Sequence, residues 1–352
     1  MPDRPDILLL SLGTTLGWRV ADSLLLEQLR AAGATTAAVA VRMGATARLR
    51  RAYPVTDAVE AIAARRALRA ALRSHRPRAL VISSTTAAML AAAEDVPYAV
   101  RLDAPARLNR PGAHNAGLHA LERRALAQAR LVLPWSRAAA AALPAGSARA
   151  VVVPPPVERS GELPWRRERV AVAYTPDVKA KGLDLVCAAW TAAGIEDARL
   201  RVFGVEREAA LHHLERTGVA EPADADFLGK RPAAEFRAAL RTSRVYAGAA
   251  RWEDFGQAPL EALADGALLA TVPSPGPFEA LAAARELAPA LVAPAVQPGG
   301  LGRALRAAFE LGETEAHAYR ERAMELLEPY RPEAIARTIE AEVLPALLNA
   351  RS

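Results

Sequence analysis

The chain reads as two doubly wound α/β units in tandem, each built on a parallel sheet. Three observations carry that expectation. Short apolar runs alternate with helical periods from Ile7 to Val272, which is the rhythm of βαβ units with helices on both sheet faces. A length of 352 residues exceeds one ordinary core. The alternation also breaks at Pro154-Pro155-Pro156, where three prolines make a stiff connector that continues neither helix nor sheet.

Ile7 to Leu12 reads as a buried strand, followed by the turn Gly13-Thr14-Thr15-Leu16-Gly17, a helical run from Trp18 to Ala32 closed by Gly33, and a strand from Ala37 to Val41. A helix over Asp57 to Ser74 comes next. The first unit then continues with a strand Ala79 to Ser83, a helix near Thr86 to Ala93, a strand Tyr98 to Leu102, a helix from Leu118 to Ala129, and strands Leu131 to Pro134 and Val151 to Val153. After the prolines, strands are expected at Val170 to Tyr174, Leu200 to Phe203, Ala225 to Leu228, Val245 to Ala249 and Leu268 to Val272. Helices at Leu183 to Ala193, Arg207 to Thr217 and Ala233 to Leu240 separate the first four of these strands, and one from Pro259 to just before Gly266 precedes the last. A run from Thr314 to Leu327 stops near Pro332, and another helix starts beyond it. The expected units are 1–157 and 158–330, with 331–352 as a C-terminal helix.

Composition narrows the function classes. At 52% hydrophobic residues the chain is globular, and its single cysteine, Cys187, cannot form an internal disulfide. The apolar run at Ile7 is too short for a signal peptide, and no stretch approaches the ~20 apolar residues of a membrane span. A reducing, cytoplasmic location is expected, with peripheral contact at the inner membrane face as an option for the basic first unit. The net charge of +6 fits an anionic partner. With aromatic residues at 5% and no interleaved stacking platform, nucleic acid is not that partner. The helix from Asp57 puts Arg65, Arg66, Arg69 and Arg73 largely on one side, with Ile62, Leu68 and Leu72 available to the core. That basic side is a solvated face or a patch for lipid or a phosphorylated acceptor.

The most informative segment runs from Arg251 to Gly266, because Glu253 and Glu261 bracket a glycine-containing turn there. Pro259 suits the first turn of a helix and Gly266 its end, so Glu253 belongs to the entering loop and Glu261 to the first turn. The amides of Gly256, Gln257 and Ala258 would then lie at the positive end of a helix, between carboxylates able to accept bonds from hydroxyls. Such a site suits a sugar joined to a phosphate. A Glu beside a helix N-terminus is also ordinary capping chemistry. Only Lys179, Lys181 and Lys230 are lysines among 45 basic residues, and Lys181 stands just ahead of Gly182 and a helix, placed to hold a phosphate against free amides.

The whole string, Glu253-x-Phe255-Gly256, then Glu261 with Ala262-x-Ala264-x-Gly266 and the apolar run after it, resembles the nucleotide-sugar signature of family 4 glycosyltransferases, the retaining, group 1 type of GT-B fold. The resemblance implies two Rossmann-like domains with a donor cleft between them, an N-terminal acceptor domain, a C-terminal donor domain and a final helix crossing back to the first. It implies transfer of a sugar, a hexose by family habit, from a nucleoside-diphosphate sugar to an acceptor hydroxyl with retention, and no obligatory metal or other cofactor. Lys181 would bind the diphosphate and Glu253 the sugar hydroxyls as catalytic residues. Gly17, Gly204, Lys230, Phe255, Gly256, Gln257 and Glu261 would bind the donor, with Glu261 on the ribose. Arg101, Asp103 and His114 are acceptor-side candidates, for an acceptor that could be a small molecule, a polysaccharide or a lipid-linked sugar. Asp224-Ala225-Asp226 has the spelling of a metal motif but falls where the family has the base-side wall.

One departure stands out. The family carries an Arg five residues before the lysine, and this chain has Pro176 there. Lys179, Arg251 and Arg231 are the nearest cations that could take its place; without one the donor grip is weaker. Three rivals follow: a glycosidase, which needs its carboxylates ~5 to 9.5 Å apart across the bond; a non-catalytic GT-B protein that binds a nucleotide sugar or a partner; and an epimerase on the same fold, whose acid/base set is not recognisable.

Overall fold

The computed structural model describes residues 4–13, 16–43, 55–91 and 96–349. The chain forms two compact units, one of Met1–Pro156 with Pro332–Ser352 and one of Val157–Arg331.

The first unit holds β1 (Ile7–Ser11), β2 (Thr36–Ala40), β3 (Ala79–Ser83), β4 (Tyr98–Leu102) and β5 (Leu131–Pro134) in the order β2-β1-β3-β4-β5. Every pairing is parallel, with Ile7 opposite Thr36 on one side and Ala79 on the other. Parallel strands buried on both faces need continuous apolar runs, and Ile7-Leu8-Leu9-Leu10 is fully buried accordingly. Ile7 and Leu9 point to one face, where Ile335, Ile339, Val343, Leu344 and Leu347 from the last helices of the chain pack on them. Leu8 and Leu10 point to the other, against Ala64 and Leu68 of the helix Val55–Ser74.

Two sequence expectations change in this unit. Val151 to Val153 is no strand: only Ala150 bridges Val132, although the amides of Val151 and Val153 still donate to Val132 and Pro134. The prolines that follow have no N–H to extend the ladder. On the helix Val55–Ser74, Ile62 is exposed at 45% and the core face is Ala61, Ala64, Leu68 and Ala71, joined by the buried Asp57 and Glu60. Residues 61, 64, 68 and 71 share one stripe at 3.6 residues per turn, and Ile62 falls off it. The third helix runs Thr85–Ala91, and the expected end at Ala93 lies outside the described residues.

The second unit holds β6 (Glu168–Tyr174), β7 (Arg199–Phe203), β8 (Ala225–Gly229), β9 (Ser243–Gly248) and β10 (Leu268–Thr271) in the order β10-β9-β6-β7-β8, again all parallel. Helices unexpected from sequence include Glu279–Leu287 and Pro298–Glu310. The latter starts on Pro298, which suits a first helical position, and packs against the helix Leu183–Ala193 with Trp190 and Phe309 edge to face at 5.9 Å.

In each sheet the strand order reverses once, between β1 and β3 and between β6 and β9. Open parallel sheets bind ligands beyond the carboxyl ends of the strands at such a reversal, so two crevices are marked by topology alone.

Candidate functional site

In the second unit, the reversal brings together the segments leaving β6 and β9. Residues 177 to 183 coil on themselves: Asp177 Oδ1 accepts the amides of Lys179 and Ala180, its carbonyl accepts that of Lys181 at 2.9 Å, and Leu183 N–H bonds Val178. The turn ends at Gly182 with φ +66, where a Cβ would run into the Ala249 carbonyl oxygen. Only glycine permits both that backbone and that approach. Lys181 is thereby placed over the end of β9, and its Nζ donates to both oxygens of Glu253, at 2.8 and 2.7 Å. Tyr174, Tyr246, Pro259 and Phe278 line a small pocket with this pair.

Glu253 lies on the loop entering a helix, as the sequence predicts. Its amide donates to Pro275, and its side chain is about one-tenth exposed. Gly256 takes φ +88 as N-cap of the helix Gln257–Ala264, whose first amides have no partner within the helix. The helix starts two residues before Pro259, so Glu261 sits in its second turn. Gln257 Nε2 donates to Glu261 at 3.0 Å, and Arg237 Nη1 is 3.9 Å away. Burial raises the Glu261 carboxyl above its ordinary pKa despite that cation. Phe255 is buried, its ring 6.4 Å from Tyr330.

Gly204, at φ +94, packs on the backbone of Pro176, which brings the end of β7 against the segment leaving β6. Lys230 is exposed, and its amide donates to Glu206. Of the cations that could replace the missing arginine, Lys179 is exposed and Arg231 donates from Nε to the Leu228 carbonyl. Arg251 is committed elsewhere, with Nη1 and Nη2 on Asp184 at 2.9 and 2.6 Å and Nη1 also on the Lys179 carbonyl. His213 Nε2 reaches the same carboxylate at 3.3 Å. Burial alone would raise the Asp184 pKa, but the bonds from Arg251 and His213 outweigh it and hold the group below its usual range. Asp184 and Tyr246 are the site's neighbours to which the sequence assigns no role, although Asp184 stands in the string Lys181-Gly182-Leu183-Asp184, three residues after the lysine. Asp226 pairs with Arg199, and among the described residues no group of three or more His, Cys, Asp or Glu is set to hold a metal.

In the first unit the reversal is filled by a buried polar cluster. Ser11 Oγ and Ser83 Oγ both donate to Asp22, and Arg101 Nη1 reaches the same carboxylate at 3.0 Å. Arg101 is 1% exposed, with the Trp135 ring 4.6 Å and the Trp18 ring 5.9 Å from its Cζ. Burial lowers its pKa to about 10, against the pull of Asp22, so it stays charged at neutral pH. Asp103 is half-buried and caps the Ala104 amide; His114 is exposed, on Asn115. Gly17 is exposed with open space around it, and Thr14 and Thr15 lie outside the described residues.

Residues 161–326 match the family described as glycosyl transferases group 1. Nothing matched among curated proteins. Among solved structures, sucrose-phosphate synthase from Thermosynechococcus elongatus is similar at a TM-score of 0.73 and 15% identity, over 96% of this chain and 97% of that one. Anabaena HepE, in complex with UDP and glucose, aligns at 0.70 and 14% over 97% and 99%. A glycosyltransferase from Rickettsia africae aligns at 0.68 and 11% over 98% of each chain. The chain has the GT-B fold, with two parallel five-stranded sheets and flanking helices.

Proposed function

We propose that the protein is a retaining glycosyltransferase that moves a sugar, a hexose, from a nucleoside-diphosphate sugar to an acceptor hydroxyl. The observation that carries the reading is the Lys181–Glu253 pair at the β6/β9 reversal, beside the N-terminus of the helix Gln257–Ala264. The match of 161–326 to group 1 glycosyl transferases supports it, since that span holds the whole pair and helix.

An ammonium has three donors. Two lie on Glu253, and the side chain is still 31% exposed, so the third is available to a phosphate oxygen. The carboxylate keeps lone pairs for sugar hydroxyls. As the glycosidic bond breaks, charge gathers on the departing diphosphate, and Lys181 with the helix amides stabilises it where it develops. Glu261 takes the ribose hydroxyls, with Gln257 holding its orientation. These cationic and dipolar groups do the work a divalent metal would otherwise do, so none is required. Arg101, Asp103 and His114 belong to the acceptor side; for Arg101 the role is indirect, through the cluster on Asp22. The basic face with Arg66, Arg69 and Arg73 is where contact with an anionic surface would fall.

The test is to incubate the protein with a panel of nucleotide sugars, with and without EDTA, following donor hydrolysis and thermal shift. Lys181→Ala and Glu253→Ala should each lower kcat by about 10²–10³, the usual cost of losing one preorganised charge-stabilising group, while EDTA leaves the rate unchanged. Absence of both binding and turnover would sink the transferase reading. Binding without turnover would favour a protein that only holds the nucleotide sugar, which the exchange of arginine for Pro176 and the commitment of Arg251 to Asp184 make the specific second reading.

A further inference from the structure

We infer that Arg251 is a positioning residue: through Asp184 and the Lys179 carbonyl it fixes the turn that carries Lys181 to the loop that carries Glu253. The inference rests on the reading of Lys181 as the diphosphate grip and deepens it.

Arg251 stands two residues before Glu253, and it is tied to the Lys181 turn in three ways. Its amide donates to the Ala180 carbonyl at 2.8 Å, Nη1 donates to the Lys179 carbonyl at 2.9 Å, and the two Nη nitrogens take both oxygens of Asp184. The bonded carbonyls belong to the two residues preceding Lys181, and Asp184 is three residues after it, so the lysine is held from both sides. A guanidinium suits this work because its planar fork matches a carboxylate with two parallel bonds and has further donors for a carbonyl. Asp184 is 10% exposed and opens the helix Leu183–Ala193, where a carboxylate also suits the positive end. His213 braces it from the helix Arg207–Thr217. The charge of Arg251 is matched by Asp184, as that of Lys181 is by Glu253, and its bonds to the Lys179 carbonyl and to Asp184 give it the job of holding the turn. Donor binding depends on where the Lys181 ammonium stands, and displacements of ~1 Å in such sites cost up to about 10² in rate.

The experiment compares Arg251→Gln, Arg251→Lys and Asp184→Asn, each alone and combined with Lys181→Ala, using UDP-glucose as donor. Each single variant should raise the donor KM or lower kcat by tenfold or more, and none should change the rate further in the Lys181→Ala background. Arg251→Lys should fail to rescue, because one ammonium cannot span the carboxylate and the carbonyl together. Additive effects with Lys181→Ala, rescue by lysine, or a faster Asp184→Asn with Arg251 released would each overturn the assignment. A readout independent of donor separates this failure from failure of the transferase reading. The chain has three lysines, so the 13Cε signal of Lys181 can be followed by selective labelling; it should move toward that of exposed Lys179 in Arg251→Gln and Asp184→Asn. An unmoved signal in folded protein refutes the positioning role even if donor is turned over. A variant that does not fold is replaced by Arg251→Lys, which keeps the charge and most of the packing.

Discussion

Glu261 shows how a single side chain is held against its own preference. Burial raises its carboxyl pKa, and the partial relief from Arg237 at 3.9 Å and from Gln257 does not offset it. A group whose pKa is raised on folding costs stability once it ionises: the folded state is favoured below the unfolded pKa, and that advantage is lost as pH rises through the folded value. Glu261→Gln removes the ionisation and keeps an oxygen for Gln257. It should make the protein more stable at neutral pH, by about 0.5–2 kcal/mol as active-site replacements of this kind commonly do, and flatten the fall of melting temperature with pH, while weakening the donor. A scan of melting temperature from acid to neutral pH on both forms reads it; a variant less stable than the parent at neutral pH would contradict the account. The position of Glu261 is legible from sequence, as a carboxylate eight positions after Glu253 on the helix that Pro259 and Gly266 delimit. Its burial is not, because Tyr174, Tyr246 and Arg237 reach it from elements up to 87 residues away in sequence.

At the scale of elements, the turn between β6 and its following helix does the most. Gly182 is left-handed and closed on by the Ala249 carbonyl. Gly182→Ala would cost about 1–2 kcal/mol for the backbone alone, and the carbonyl contact forces the turn away from β9. Donor KM should rise with Lys181 displaced, whereas Gly218→Ala, a helix end with φ +69 and open space around it, should lose stability without touching KM. Equal KM values in the two variants would refute the argument. Boundaries such as β3 and β4 agree with the sequence expectation to the residue, because apolar runs flanked by turn residues leave little choice. Val151 to Val153 misled because it is apolar and extended yet ends in prolines, and Pro298–Glu310 escaped because Gly299, Gly300 and Gly302 argue locally against the helix that packing on Leu183–Ala193 imposes.

At the scale of the molecule, the two units draw on different stretches of chain. Ile335, Ile339, Val343, Leu344 and Leu347 bury their side chains with Ile7, Leu9 and Leu25 of the first unit. Each such side chain is worth about 1.5–3 kcal/mol, so removing 332–352 takes away as much as a whole domain's margin of 5–15 kcal/mol. Limited proteolysis of that truncation should cut throughout residues 4–156. Cys187 gives the control. It is fully buried in the second unit, with its thiol pushed up to about 12 by desolvation, Asp184 and Glu221 adding to it. Thiol reagents should label it as slowly in the truncated protein as in the full chain; rapid labelling would mean that the last helices support the second unit as well.

The sequence by itself determined the doubly wound class, most strands, and the Lys181 and Glu253 to Glu261 motif, because apolar period, glycine turns and helix ends are local properties. Tertiary structure alone decided what each charge is used for. Arg251, an available cation in the sequence, is matched by Asp184 67 positions earlier, and Arg101, an acceptor contact by analogy, is sealed between Trp18 and Trp135 on Asp22, 79 positions away. A charge is free or committed according to which group folding brings within 3 Å of it, and that is a property of long-range packing.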